Sequence, residues 1–388
     1  MKRIGAQLSP PGLLFAVTGL ALLQAPFLSL APNRIALGEG VTLWRLTDGA
    51  ATASCVLAIL AGFALGLLRS RPALRLAGAV LGLIGLLGLV VISAPALLEG
   101  AGEYARVSPA AGFWGLLVVM TLLLADSLTQ FRPRPLTRAL LLALGLGAVA
   151  IFLRSDGISQ LSVMQEYAAR SDAFMTATRR HLALAFGSLG AAAVIGFPLG
   201  ILCHRKVRLR GAVLPVLSFL QTIPSLAMFG IMIPILGWVA ANVPGASEAG
   251  IAGIGFTPAF FALLLYSLLP VVSNTVAGLA STPAAAREAA RGMGMTTGQR
   301  LMRVELPLGL PVLLAGLRIV LVQNIGLAVI AGLIGGGGYG SFVFQGLNQT
   351  ATDLILLGAL PTVLLALVSA VVMDILVDLA RPNSEKSP

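Results

Sequence analysis

Charged and turn-forming residues in an ordered pattern are sparse in this chain, and they converge in one place, residues 281–307 (STPAAAREAARGMGMTTGQRLMRVELP). Here Glu288-Ala289-Ala290 is followed by Gly294 and then by Val304-x-Leu306-Pro307, a charged island between long apolar runs. Elsewhere the reactive types are scattered. His181 and His204 lie apart from each other and from Cys55 and Cys203, so no metal site and no nucleophile paired with a base is expected. The three lysines, Lys2, Lys206 and Lys386, all lack a preceding glycine, which excludes the lysine of a phosphate-binding loop. The chain is therefore expected to have no catalytic residues, no metal and no bound cofactor. If an ATP-driven process involves it, the ATP belongs to another polypeptide.

The local chemistry of the island predicts two short helices around a tight corner. Thr282 and Pro283 are placed as N-cap and first-turn residues of the first helix, and Gly292 and Gly294 break it. Thr296-x-x-Gln299 reads as a capping box that opens the second helix. Pro307 disfavours helical geometry at Leu306 and is expected to end it. The product is a compact knob facing water. A plain solvated loop would account for Arg287, Glu288 and Arg291, but not for the ordered spacing of small residues and glycines.

What must hold this knob is a membrane. Of the 388 residues 57% are hydrophobic and only 11% charged, with a mean hydropathy of +0.95, which excludes a soluble globular protein. A helix needs about 20 apolar residues to cross the hydrocarbon. Ten runs qualify, at 12–31, 50–68, 75–97, 111–129, 137–153, 182–203, 211–236, 257–280, 308–334 and 353–379. Period-2 alternation is missing, which argues against a β-barrel. The expected fold is all-α and polytopic, with about ten transmembrane helices. With the N-terminus in the cytoplasm, 18 of the 26 basic residues fall on inward segments and 7 on outward ones, while Arg318 sits inside a membrane run. Both termini and the 281–307 island are then cytoplasmic. The net charge of +11 is explained by juxtamembrane loops against anionic lipid, and no nucleic-acid partner is implied. Lys2 and Arg3 ahead of an apolar run that ends in Ser29-Leu30-Ala31 imitate a signal peptide; the length of the run and Pro32 favour an uncleaved first helix.

Four regions are expected: a five-helix part at 1–153, an outward connecting segment at 154–180, a second membrane part at 181–380 that carries the 281–307 loop, and a tail at 381–388. Apolar positions within 159–180 predict a short amphipathic helix on the outer surface. The two membrane parts differ in kind. Polar residues and prolines are sparse in the apolar runs of the first and recur in those of the second: Gln221, Pro224 and Ser225, then Tyr266 and Asn274, then Gln323 and Asn324. Any one of these could simply bond a neighbouring helix. Confined together to one half, they outline a translocation path.

Beyond the knob, LQTIPSLAMFGIMIPILG at 220–237, YSLLPVVSNTVAGL at 266–279, REAARGMGMTTGQRLMRVELPLGLPVLLAGLR at 287–318 and IGLAVIAGLIGGGGYGSFVFQGL at 325–347 carry a resemblance over residues 176–380. The stretch resembles the type I permease domain of binding-protein-dependent ABC importers, and in particular the branch that imports glycine betaine, choline, carnitine and related quaternary amines. The five preceding helices resemble a longer subgroup of osmoprotectant permeases. This resemblance implies that Glu288, Ala289, Ala290, Gly294, Leu306 and Pro307 form an EAA loop that docks on a separate cytoplasmic ATPase. It also implies an extracytoplasmic substrate-binding protein, a second permease chain, and residence in the bacterial cytoplasmic (inner) membrane. An ABC permease for another small solute, such as an amino acid, is the near alternative. An ion-coupled secondary transporter is the remote one; its best carboxylates would be Asp374 and Asp378.

Overall fold

The computed structural model describes residues 8–34, 36–46, 49–69, 71–131 and 133–381; Lys2, Arg3, Arg132, Lys386 and all of the tail except Arg381 lie outside them. The chain forms two compact units, divided between Ala169 and Arg170. Each of the ten apolar runs contains a helix. Among the described residues eight helical segments are long and apolar enough to cross a membrane, and Pro10–Leu22 and Ala50–Gly66 are apolar but shorter.

In the first unit, α1 (Pro10–Leu22) starts at Ser9, whose Oγ accepts from the Gly12 N–H at 3.3 Å. The run expected to continue to residue 31 does not stay helical. After Leu22 the chain turns into β1 (Pro26–Ala31), the central strand between β2 (Glu39–Thr42) and β3 (Arg106–Pro109) in an antiparallel sheet. Ser29 pairs with both Gly40 and Ser108, and Phe27 and Leu28 are fully buried, so the apolarity of this run serves a small sheet core rather than lipid. Glu166 ties the nearby segments, meeting Arg34 at 3.1 Å and Arg106 at 3.4 Å.

The unit's helical core is α2 (Ala50–Gly66), α3 (Pro72–Leu98) and α4 (Ala111–Phe131). Glycines let α2 and α3 touch backbone to backbone: a Cβ on Gly62 would lie 2.7 Å from the Gly78 carbonyl oxygen, and one on Gly85 2.5 Å from that of Cys55. Leu86, Leu89, Leu116, Met120 and Leu123 fill the remaining volume. Arg75 is fully buried at the start of α3; its Nε donates to the Gly66 carbonyl at 3.1 Å and its guanidinium pairs with Asp126 of α4. By contrast α5 (Pro135–Leu153) buries no residue within the chain. The outer segment is not a single surface helix. It divides into α6 (Asp156–Ser159) and α7 (Ser162–Ala169), and residues from Ser171 onward already belong to a membrane helix.

The second unit is built on α8 (Ser171–Arg205), α11 (Phe256–Ala280), α14 (Leu306–Ile330) and α16 (Thr352–Ala380). Central to it is α11, packed against α8 on one side and α14 on the other. Small residues again set the spacing, with Gly200 against Thr275 and Gly309 against the Gly278 carbonyl at 2.5 Å for an added Cβ in both cases. The run at 211–236 is not one helix but two, α9 (Val207–Thr222) and α10 (Ser225–Asn242), broken at Ile223-Pro224, where Ile223 is extended (φ −66°, ψ 126°) as a residue before proline prefers. The knob contributes α12 (Ala284–Gly292) and α13 (Thr297–Arg300), and α15 (Gly340–Asn348) follows a glycine turn after α14.

Candidate coupling knob and intramembrane polar face

The knob folds as a helix, a glycine corner and a second helix. Gly294 has φ +73° and occupies the left-handed position after α12, where it closes the helix end: the Met295 N–H donates to the Ala290 carbonyl at 3.1 Å and the Gly294 N–H to that of Arg291 at 2.9 Å. The capping box follows at once, with the Thr296 N–H donating to Gln299 Oε1 at 2.9 Å and the Gln299 N–H to Thr296 Oγ1 at 3.3 Å. Of the three EAA residues Ala290 faces inward at 1% exposure, while Glu288 and Ala289 face water beside the exposed Met293.

Two expectations about the knob are corrected. Thr282 does not cap α12; Pro283 stands at that position, and the buried Thr282 hydroxyl donates to the Glu305 carbonyl at 3.4 Å. Nor does Pro307 end the second helix. Leu301–Glu305 forms a π turn in which the Leu306 N–H reaches back to the Leu301 carbonyl, and α14 continues, giving an unbroken helical segment over Thr297–Ile334. Pro307 has no N–H, and in a regular helix its ring would strike the carbonyl four residues earlier. The wider π turn removes that conflict. Leu306 is half-buried and Pro307 exposed at this junction.

The π turn also brings together a pair that regular helix spacing would separate. Arg300 Nε donates to Glu305 Oε1 at 3.0 Å, with both side chains largely buried, although residues five apart do not share a face of an α-helix. Arg205, at the end of α8, adds a contact to the Thr297 carbonyl at 3.5 Å. Neither link follows from the sequence period. The knob is thus fastened to two membrane helices and continuous with one of them.

The seven path residues do not form a single constellation. Gln221 Nε2 donates to the Tyr266 carbonyl at 2.7 Å, and the Tyr266 hydroxyl donates to the Ile223 carbonyl. The first bond has a definite cause: Pro270 cannot supply the N–H that the carbonyl four residues earlier would accept, and Gln221 replaces it. The second fixes the break between α9 and α10, beside which lie exposed Pro224 and half-buried Ser225. Asn324 is fully buried; its Nδ2 donates to Ser188 Oγ at 2.9 Å and Ser267 Oγ at 2.8 Å, tying α14 to α8 and α11. Asn274 Nδ2 donates within its own helix to the Pro270 carbonyl at 2.8 Å and packs against Gly316. Gln323 stands apart from these, in a groove of about 580 Å³ between α14 and α16 that it lines with Arg318 and Asp374. Arg318 Nη1 pairs with Asp374 Oδ1 there, so an arginine and a carboxylate of two membrane helices neutralise each other. No cluster of histidine, cysteine and carboxylates able to hold a metal ion occurs among the described residues.

Comparison with known proteins identifies the family. Residues 196–386, which include the knob and all seven path positions, match the binding-protein-dependent transport system inner membrane component. OsmW, an osmoprotectant import permease protein of Salmonella typhimurium, is 44% identical over 191 residues, covering 49% of this chain and 84% of that protein. The chain belongs to the permease family of binding-protein-dependent ABC importers. OpuCD of Bacillus subtilis, a glycine betaine/carnitine/choline transport system permease protein, is 39% identical over 53% of this permease and 84% of its own length. Residues 9–164 match the N-terminal domain of the ABC transporter permease YehY, so the five additional helices belong to a longer form of the permease. An inward-facing structure of the MetNI methionine ABC transporter aligns at 23% identity over 55% of this chain and 99% of that chain, with a TM-score of 0.48.

Proposed function

We propose that this permease is the membrane subunit of an importer for quaternary-amine osmoprotectants such as glycine betaine and choline. In this reading a separate cytoplasmic ATPase docks on the 281–307 knob and hydrolyses the ATP, a binding protein delivers substrate from outside, and a second permease chain completes the path. The chain itself binds no cofactor. The observation that carries the reading is the continuity of the knob with α14: Glu288, Ala289 and Met293 offer a small-residue, partly apolar contact face, and the π turn with its Arg300–Glu305 bond leads from that face into the helix bearing Arg318, Gln323 and Asn324. Motion of a partner at the knob is thereby delivered to the polar face. The excess of basic residues on segments adjoining the knob supports a cytoplasmic position for it and for both termini. The substrate class rests on what OsmW and OpuCD are named for.

Reconstitution tests this. Proteoliposomes holding the permease with its ATPase and binding protein should accumulate labelled glycine betaine only when ATP and the binding protein are both supplied. Accumulation driven by a sodium or proton gradient without the ATPase contradicts the reading in favour of secondary transport. ATP-dependent uptake of an amino acid with none of any quaternary amine contradicts the substrate class alone.

A further inference from the structure

Among the described residues, two arginine–aspartate pairs have both members within membrane helices, and only one has the form of a structural tie. Arg75 and Asp126 have side-chain exposures of 0% and 22%, and Arg75 gains a backbone acceptor in Gly66. Arg318 and Asp374 are exposed at 42% and 43%. Arg318 lies at the midpoint of α14 and Asp374 about two turns before the end of α16, so both fall within apolar helices long enough to cross a membrane. Half-open charges there are costly against lipid tails and characteristically face a polar pathway or a protein neighbour. Beside them the groove carries one more polar group, Gln323, and small or apolar walls in Ile319, Val322 and Ala370.

We propose that Arg318, Gln323 and Asp374 form an intramembrane subsite for a zwitterion, Arg318 receiving a carboxylate and Asp374 the cationic head group. The proposal rests on the importer reading above. Its chemistry follows from the pair itself. A guanidinium presents a planar fork of N–H donors suited to a carboxylate, and Gln323 can add a further N–H. A quaternary ammonium has no N–H to donate and there is no aromatic side chain on these walls, so its attraction must come from a negative charge, which Asp374 supplies. When a zwitterion enters, the Arg318–Asp374 contact is exchanged for an arginine–carboxylate and an aspartate–ammonium contact. No uncompensated charge is left at any stage, which keeps both entry and release shallow. A pure cation can use only the aspartate half of the site.

The test compares glycine betaine, which has a carboxylate, with choline, which has none, in the complete reconstituted transporter. Arg318→Gln should lower the betaine-to-choline uptake ratio by about tenfold or more, the loss of a charge-assisted bond. Asp374→Asn should shift the ratio the other way, because the remaining guanidinium repels choline. Arg318→Lys should restore part of the betaine preference. The doubly neutral Arg318→Gln/Asp374→Asn protein leaves no unpaired charge to unfold it and should carry both substrates with little discrimination. If every variant loses both substrates in parallel, with the ratio unchanged, the pair is a tie and the subsite does not exist. If the unaltered complex carries neither compound, the importer reading falls first, and the subsite with it.

Discussion

The two units solve the same problem, charge inside an apolar helix bundle, in opposite ways. In the first, Arg75 is sealed among α2, α3 and α4 and its pairing with Asp126 locks three helices. In the second, Arg318 and Asp374 pair across a groove that remains open, next to a glutamine. Burial separates the roles: a sealed pair can only hold structure, whereas an open one is able to exchange partners. The same division runs through neighbouring residues of α14, where Asn324 is consumed by Ser188 and Ser267 while Gln323 faces the groove.

The largest effect should come from breaking the sealed pair. Arg75→Leu strands Asp126 and should destabilise the first unit by about 3 to 5 kcal/mol, seen as collapse of the monodisperse peak on heating in detergent. Arg75→Met/Asp126→Leu should recover most of the loss. Arg318→Met, made in parallel, should leave heat stability much closer to that of the unaltered protein. Equal losses for Arg75→Leu and Arg318→Met would erase the distinction.

Next in size is the knob. Gly294 has φ +73° and nothing within 4 Å of an added Cβ, so Gly294→Ala meets backbone strain alone, about 1 to 2 kcal/mol. Membrane insertion should be unchanged, and uptake together with substrate-stimulated ATP hydrolysis should fall severalfold. Glu288→Lys should abolish both.

Asn324→Leu and Gln323→Leu should separate a buried tie from a groove-lining group at adjacent positions. The first removes an interhelical network and should cost about 1 kcal/mol of heat stability; the second should leave stability alone and reduce uptake. Smallest is Tyr266→Phe, which deletes only the bond to the Ile223 carbonyl at the α9–α10 break. A loss of about 0.5 kcal/mol is expected, with thiol labelling at position 223 reporting a looser break.

Much of this was legible in the sequence where the signal is local. Gly294 and the Thr296–Gln299 box could be placed because turn and cap chemistry is decided within a few residues, and the ten apolar runs each hold a helix for the same reason. What escaped depends on partners distant in sequence or on a change of helical period. Ser29-Leu30-Ala31 reads as lipid-facing until β3, far along the chain, supplies its strand partner. Pro307 reads as a stop only if the preceding turn is α; the π turn makes it a passage, and that same turn hides the Arg300–Glu305 bond. Gln221 looked like one polar residue among several, yet Pro270 leaves the Tyr266 carbonyl without a helical donor, and a search for orphaned carbonyls four residues before each membrane proline would have pointed to the need for such a partner.

If the knob drives a water-accessible face in the second unit, the reactivity of that face must follow the state of the ATPase. In a background of Cys55→Ala and Cys203→Ala, single cysteines at 323 and at 127, the latter buried in the first unit, can be exposed to a membrane-impermeant thiol reagent in the assembled transporter. Gln323→Cys should react, should be slowed by glycine betaine, and should change its rate when the ATPase is trapped with nucleotide, a change that Glu288→Lys removes; Ser127→Cys should stay unreactive throughout. An inert cysteine at 323, or one whose reactivity ignores the nucleotide state, would show that the knob drives no such face.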